Sequence, residues 1–95
     1  MEYVNRNKCR SFKQTLSGGT TALLDQICSE VIIVNRTGAD VLIYDSGYAD
    51  PANGFLLADL ESTTFRGLTN TNQVSAAGTG DIYYRSQFFS NTPSQ

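Results

Sequence analysis

Two β-branched runs, Val31 to Val34 and Val41 to Tyr44, stand on either side of a short polar break, Asn35 to Asp40, that contains Gly38. Valine and isoleucine are stiff at χ1 and fit a pleated surface better than a helix. Two such runs around a polar, glycine-containing break predict a β-hairpin with a longer loop. Successive side chains of a strand point to opposite faces, so Val31 and Ile33 face one way and Ile32 and Val34 the other. Apolar residues on both faces predict that both faces of this hairpin are covered.

The rest of the chain reads the same way. Ser11 to Leu16 alternates, with Phe12, Gln14 and Leu16 on one face and Ser11, Lys13 and Thr15 on the other. That predicts a first strand at a sheet edge, where Lys13 discourages further pairing. Ser17-Gly-Gly-Thr20 predicts a turn. Thr21 to Ser29 suits either a turn or two of helix or a strand carrying Leu24 inward, and the β context favours the strand. Asp45 to Gly54 is dense in turn formers, and Pro51 ends any strand there. Phe55 to Ala58, Thr63 to Leu68 with Phe65 inward, and Gln73 to Ala77 predict short strands, with Thr69 to Asn72 a polar loop. Gly78-Thr-Gly-Asp81 reads as a tight turn into a last strand, Ile82 to Phe89. On that strand Ile82, Tyr84 and Phe88 share one face; Tyr83, Arg85, Gln87 and Phe89 share the other. About seven or eight short strands predict an all-β domain, a small antiparallel β-sandwich or barrel. It is preceded by an extended basic arm over residues 1–10, spans 11–90, and ends in a loose polar tail, 91–95.

Ninety-five residues make one domain, and size scaling gives burial of roughly 64% of the extended surface, enough for one modest core. The net charge of −2 is unevenly placed. Arg6, Lys8, Arg10 and Lys13 outweigh Glu2, a net +3 over residues 1–13. The remainder sets Arg36, Arg66 and Arg85 against eight acids, a net −5. A basic arm before an acidic body suits docking on an acidic surface or on phosphate, or is simply a solvated terminus. No histidine is present, which removes Ser-His-Asp and Cys-His systems and histidine-ligated metals. Cys9 and Cys28 lack zinc spacing; they form one disulfide if Cys9 lies on a strand beside Cys28, or remain two thiols with Cys28 buried. The first residues are polar and no apolar run approaches the roughly 20 residues of a membrane span, so neither export nor a membrane is expected.

Candidate chemistry is thin. Asp45, Asp50 and Asn53 offer oxygen ligands on one loop but miss the alternating acids of a calcium loop. Asp59 and Glu61 flank a turn without the pocket that acid–base catalysis needs. Neither glycine-rich stretch continues as a phosphate-binding loop. Asn35-Arg-Thr37 matches the glycosylation triplet, and without a secretory signal the match reads as chance. Tyr83 to Arg85 has the aromatic and cationic character of a single-strand nucleic-acid platform, but Arg66 and Arg85 alone are too few cations in an acidic body. Arg66 lies mid-strand beside Gly67. It either contacts a partner carboxylate across a subunit boundary or pairs within the domain, for example with Glu61. No cofactor, metal or catalytic residue is expected, and the chain is not expected to be an enzyme.

Three stretches carry a resemblance: Glu30 to Tyr44; Phe65-Arg-Gly-Leu-Thr-Asn70 with Gln73-Val-Ser-Ala76; and Ile82-Tyr-Tyr-Arg-Ser-Gln-Phe-Phe-Ser90. Over roughly residues 11–90 the pattern resembles small accessory structural proteins of tailed bacteriophages, above all those of cyanophages and related marine phages. The resemblance implies a capsid decoration or cement protein, made in the host cytoplasm and carried on the virion. Such a protein binds between major capsid protein subunits and stabilises the head. Alternatives are a head–tail connector, tail or fibre-base component, and a carbohydrate or host-surface module using Tyr48. The expected partners are the major capsid protein and other virion proteins, with a homo-oligomer compatible and no direct nucleic acid. The contact residues are then Tyr3, Arg6, Lys8 and Arg10 in the arm, Arg66, and Tyr83, Arg85 and Phe89 on the last strand. Aromatic residues and arginine are the types enriched at protein interfaces.

Overall fold

The computed structural model describes residues 8–44 and 54–88. Six strands follow in order: β1 Lys8–Ala22, β2 Glu30–Asn35, β3 Val41–Tyr44, β4 Phe55–Leu57, β5 Ser62–Arg66 and β6 Ser75–Phe88. One turn of 3-10 helix, Thr71–Gln73, leads into β6. It is fixed by a capping box between Asn70 and Gln73. All strand pairs are antiparallel. The chain is all-β, a small antiparallel sandwich curled towards a barrel.

The spine is β6. Its whole length pairs with β1 along one edge. Its other edge takes β2 against Ile82–Gln87 and β3 against Ser75–Ala77. Outside these lie β5 and β4, giving the order β4-β3-β6-β2-β5. The runs Val31 to Val34 and Val41 to Tyr44 therefore do not form the expected hairpin. They run in the same direction, one after the other, along a single edge of β6. From Asn35, opposite Ile82, to Leu42, opposite Ala77, one chain takes seven steps and the other five. The polar break is a two-residue excess pushed out of one long strand.

Asn35 holds that excursion. Its side chain is fully buried. Its amide donates to Ala39 O (2.7 Å) and Leu57 O (2.8 Å), and its carbonyl oxygen accepts from Thr37 N (2.9 Å) and Thr37 Oγ1 (2.8 Å). A buried amide with every partner made is strongly favoured over any state in which one is lost. The glycosylation triplet is thus a structural corner whose asparagine is fully engaged.

Both glycine-rich stretches lie within strands rather than in the expected turns. At Gly18 (φ +91°) and Gly19 (φ +71°) the β1–β6 register shifts, a bulge opposite Ala77 to Thr79. Bulges bend and twist a strand, and let it pass from one sheet to another. On β6, a Cβ at Gly78 would lie 2.6 Å from Val41 Cγ1. The missing side chains let the excursion lie against the spine. Fusion of two expected short strands into β6, with the loss of the strand expected over Thr21 to Ser29, is why six strands replace seven or eight. Residues Lys8 to Arg10, assigned to the arm by composition, are the first residues of β1.

The chain leaves β1 at Ala22 without forming the further strand expected over Thr21 to Ser29. Leu23, not Leu24, turns inward: Leu23 is buried and Leu24 is 45% exposed. The segment is tied down by Leu23 N to Val74 O, Thr71 N to Gln26 O and Cys28 N to Thr69 O. One core joins both halves: Leu16, Leu23, Val31, Ile33, Val41, Ile43, Leu57, Val74, Ala76, Ile82 and Tyr84. The seam between β4 and β5 is capped by Phe55 and Phe65, edge-to-face with centroids 6.1 Å apart, so Phe65 anchors inward as its strand pattern predicts.

Within this core the Tyr84 hydroxyl donates to Gln14 Oε1 (2.6 Å) and accepts from Leu24 N (2.8 Å). Burial pushes its pKa above the ordinary tyrosine value, and the bond from Leu24 works in the opposite direction. An unfolded tyrosine titrates near pH 10. With the folded value raised, this group's contribution is complete below about pH 10 and is lost as pH climbs through the folded pKa. Tyr84→Phe is expected to lower stability by about 1–3 kcal/mol at neutral pH, because Leu24 N–H loses its acceptor. It should also flatten the fall of stability above about pH 10; urea unfolding across pH 8–11 reads both effects.

Cys9 is exposed and Cys28 buried, and both are free thiols. Burial raises the Cys28 pKa, a hydrogen bond from Thr71 Oγ1 (3.2 Å) partly opposing it. Thiolate fraction and access together set reactivity. A maleimide should label one thiol per native chain and two per unfolded chain, counted by intact mass.

Candidate interaction surface

Strand register fixes which side chains share a face. Residues aligned across a sheet project to the same side. One rung runs Ser11–Arg85–Ile32–Thr64, and the next runs Lys13–Tyr83–Val34–Ser62. A third carries Cys9, Gln87, Glu30 and Arg66. This is the outer face of the sheet β1-β6-β2-β5. The opposite face holds Val31, Ile33, Ile82 and Tyr84 and is core.

Among the described residues nothing covers the outer face, contrary to the expectation for Val31 to Val34. The strand alternates half-buried and buried, with Ile32 and Val34 half-buried and Val31, Ile33 and Asn35 buried. Tyr83 is 43% exposed between them. Ser11, Ile32, Val34, Tyr83 and Arg85 line an open groove of about 420 Å³ that reaches Phe12 and Tyr84. Two ion pairs fringe it, Lys13 to Asp81 and Arg66 to Glu30, each at 3.6 Å. Thr15 Oγ1 also binds Asp81 (2.7 Å). Arg85 is exposed and makes no ion pair among the described residues. Exposed pairs of this kind are worth at most about 1 kcal/mol, so the fringe is adaptable. An apolar strip with a tyrosine and an unpaired arginine is the chemistry of contact with another macromolecule.

The expected site residues divide. Tyr83 and Arg85 sit together at the centre of this face. Arg66 lies on the third rung and pairs with Glu30 inside the domain rather than with Glu61, whose carboxylate accepts from Ala58 N. Arg10 belongs to the other face: its guanidinium lies 5.3 Å from the Phe12 ring centroid and donates to Gln26 Oε1. Lys8 opens β1 opposite Phe88. Tyr3, Arg6 and Phe89 lie outside the described residues, as do Asp45, Tyr48, Asp50 and Asn53. Ile32 and Val34, interior by the pattern of their own strand, are half-buried on this face. The signal that marks them as surface is the polar strand beside them, since Ser62 and Thr64 share their face. Asp59 serves its turn by accepting from Gly38 N. Among the described residues no three of His, Cys, Asp or Glu come together, and no helix is long and apolar enough to cross a membrane.

No protein-family model matches the sequence, and no curated protein matches it. Solved structures share the fold. A chain from Bacillus endospore appendages, described as a family of disulfide-linked pili, superposes with a TM-score of 0.53 at 13% identity, covering 94% of this chain and 91% of that one. A cupin superfamily protein from Desulfitobacterium hafniense superposes with a TM-score of 0.53 at 9% identity, covering 92% and 78%. At these identities the likeness is one of fold.

Proposed function

We propose that this chain is a non-enzymatic structural protein of a virion, and within that class a capsid decoration or cement protein. It docks its outer β1-β6-β2-β5 face between major capsid protein subunits. The observation that carries the reading is the groove at Tyr83 and Arg85, where an aromatic, two half-buried aliphatic side chains and a cation without an ion pair among the described residues meet on one sheet face. The resemblance of the strand motifs to phage accessory proteins supports the particle. The solved structure of an assembled bacterial appendage supports a structural role for the fold. Cement proteins act through buried area and hydrogen bonds, which is the chemistry this face offers.

The test is copy number per purified particle by quantitative mass spectrometry, referenced to the major capsid protein. A simple ratio near one or one third is expected. Absence from the particle overturns the proposal, and six or twelve copies move the protein to the neck or tail. Tyr83→Ala with Arg85→Glu should weaken capsid binding by about 30-fold or more, as for central interface residues. Circular dichroism should be unchanged, since both side chains are exposed.

A further inference from the structure

Three strand edges of the sheet are open among the described residues, and they are not alike. The outer edge of β1 is guarded by Arg10, Lys13 and a bulge. That of β5 carries Ser62, Thr64 and Arg66. Charge and bulging of this kind discourage further pairing. The outer edge of β4 has neither. It reads Phe55-Leu-Leu57, pairs only with β3, and exposes Phe55 (50%) and Leu56 (57%) on opposite faces. Leu60, just beyond it, is 67% exposed with φ +70°. A leucine in the left-handed region is strained by about 1–2 kcal/mol, and here Leu60 N donates to Asn35 O to hold it there.

The charge in the sequence on either side of this strand has one sign. From Thr37 to Phe65 the sequence carries Asp40, Asp45, Asp50, Asp59 and Glu61 and no lysine or arginine. The opposite sign sits in Arg6 and Lys8, beside Tyr3 and Val4. In an extended segment Tyr3 and Val4 point to opposite faces, which matches the paired exposure of Phe55 and Leu56. We propose that the N-terminal segment Tyr3–Asn7 of a second copy adds as a strand to the free edge of β4, Arg6 meeting the acids that flank β4 in the sequence.

The donor is a second copy because of where β1 begins. Lys8 pairs with Phe88 at one end of β6, whereas β4 joins through β3 at Ser75–Ala77, the other end; Arg6 is two residues from Lys8, about 7 Å of chain at most. Strand addition supplies main-chain hydrogen bonds for affinity and side-chain alternation for register. An arm on one copy meeting an edge on the next is a heterologous contact, which propagates as a ring or a filament. The inference concerns the free protein and stands apart from the capsid proposal.

Sedimentation of the full chain across concentration should show assemblies larger than a monomer that weaken with added salt. Deletion of residues 1–7 and, separately, Leu56→Lys should each give monomers. Because Leu56 is exposed, the second variant should keep its thermal midpoint. The decisive sample is the mixture: arm-deleted chains keep the edge, Leu56→Lys chains keep the arm, and together they should form a one-to-one dimer. A wild-type chain that stays monomeric overturns the proposal. If hydrogen exchange at Phe55 to Leu57 then quickens on arm deletion, the arm is bound to its own molecule. Assembly that survives arm deletion but not Leu56→Lys overturns it in favour of edge-to-edge pairing of β4.

Discussion

Asn35→Asp is expected to lower stability by about 3–5 kcal/mol, the largest effect of any isosteric change in the chain. The substitution keeps the shape and removes both donors. Leu57 O loses its partner, and an unsatisfied buried group costs about 1–3 kcal/mol, while Ala39 O keeps the Thr37 hydroxyl. It also places a carboxylate at a fully buried position, facing two carbonyl oxygens. Asn35→Ala should come close behind, because Leu57 O and Thr37 N both lose their partner, the Thr37 hydroxyl keeping its bonds to Ala39. The loss is specific to one junction. Asn35 N bonds Glu61 O, and Leu60 N bonds Asn35 O, so the residue ties β2, the excursion, β4 and the turn before β5. Urea unfolding followed by tyrosine fluorescence measures it. A destabilisation below about 1 kcal/mol would mean that solvent reaches this amide and the corner is not held as described.

Gly80→Ala is the second large effect, expected at about 2–5 kcal/mol. Gly80 has φ +121°, a region that L side chains rarely adopt. A Cβ there would sit 2.8 Å from Thr37 Cβ and 3.0 Å from Thr37 Cα. Backbone strain and overpacking each contribute about 1–3 kcal/mol. The neighbour is a main-chain atom of the excursion, so it cannot swing aside as a flexible side chain does. By contrast Gly38 has φ +87° but open space around it. Gly38→Ala should show the backbone term without the clash, and the difference between the two variants isolates the close approach.

The individual strands were legible because their signals are local. The runs over β2, β3, β4 and β5 mark themselves by β-branched and aromatic residues, and period-two alternation separated Tyr83 and Arg85 from Ile82 and Tyr84. What failed was connection. A glycine pair in a bulge and a glycine pair in a turn look the same in sequence, since both supply positive φ. Asn35 to Asp40 has the composition of a hairpin loop, and only the side chain of Asn35, reaching Leu57 O twenty-two residues away, makes it an excursion instead. The candidate surface was half legible for a related reason. Ile32 and Val34 look interior on their own strand. Their exposure is decided by β1 and β5 beside them, and no window on β2 contains that information.

The position of β6 also sets the order in which the molecule can be assembled during synthesis. β1 is made first, yet its only strand partner among the described residues is β6, more than fifty residues later. Until β6 is made, β2 and β3 each lack a neighbour on one edge as well. Closing so long a loop is slow, because its entropy is lost before the pairing is gained. A nascent chain halted before Ser75 would therefore present three unsatisfied strand edges at once, and it depends on the speed of translation, or on a chaperone, to keep those edges from finding one another in neighbouring chains.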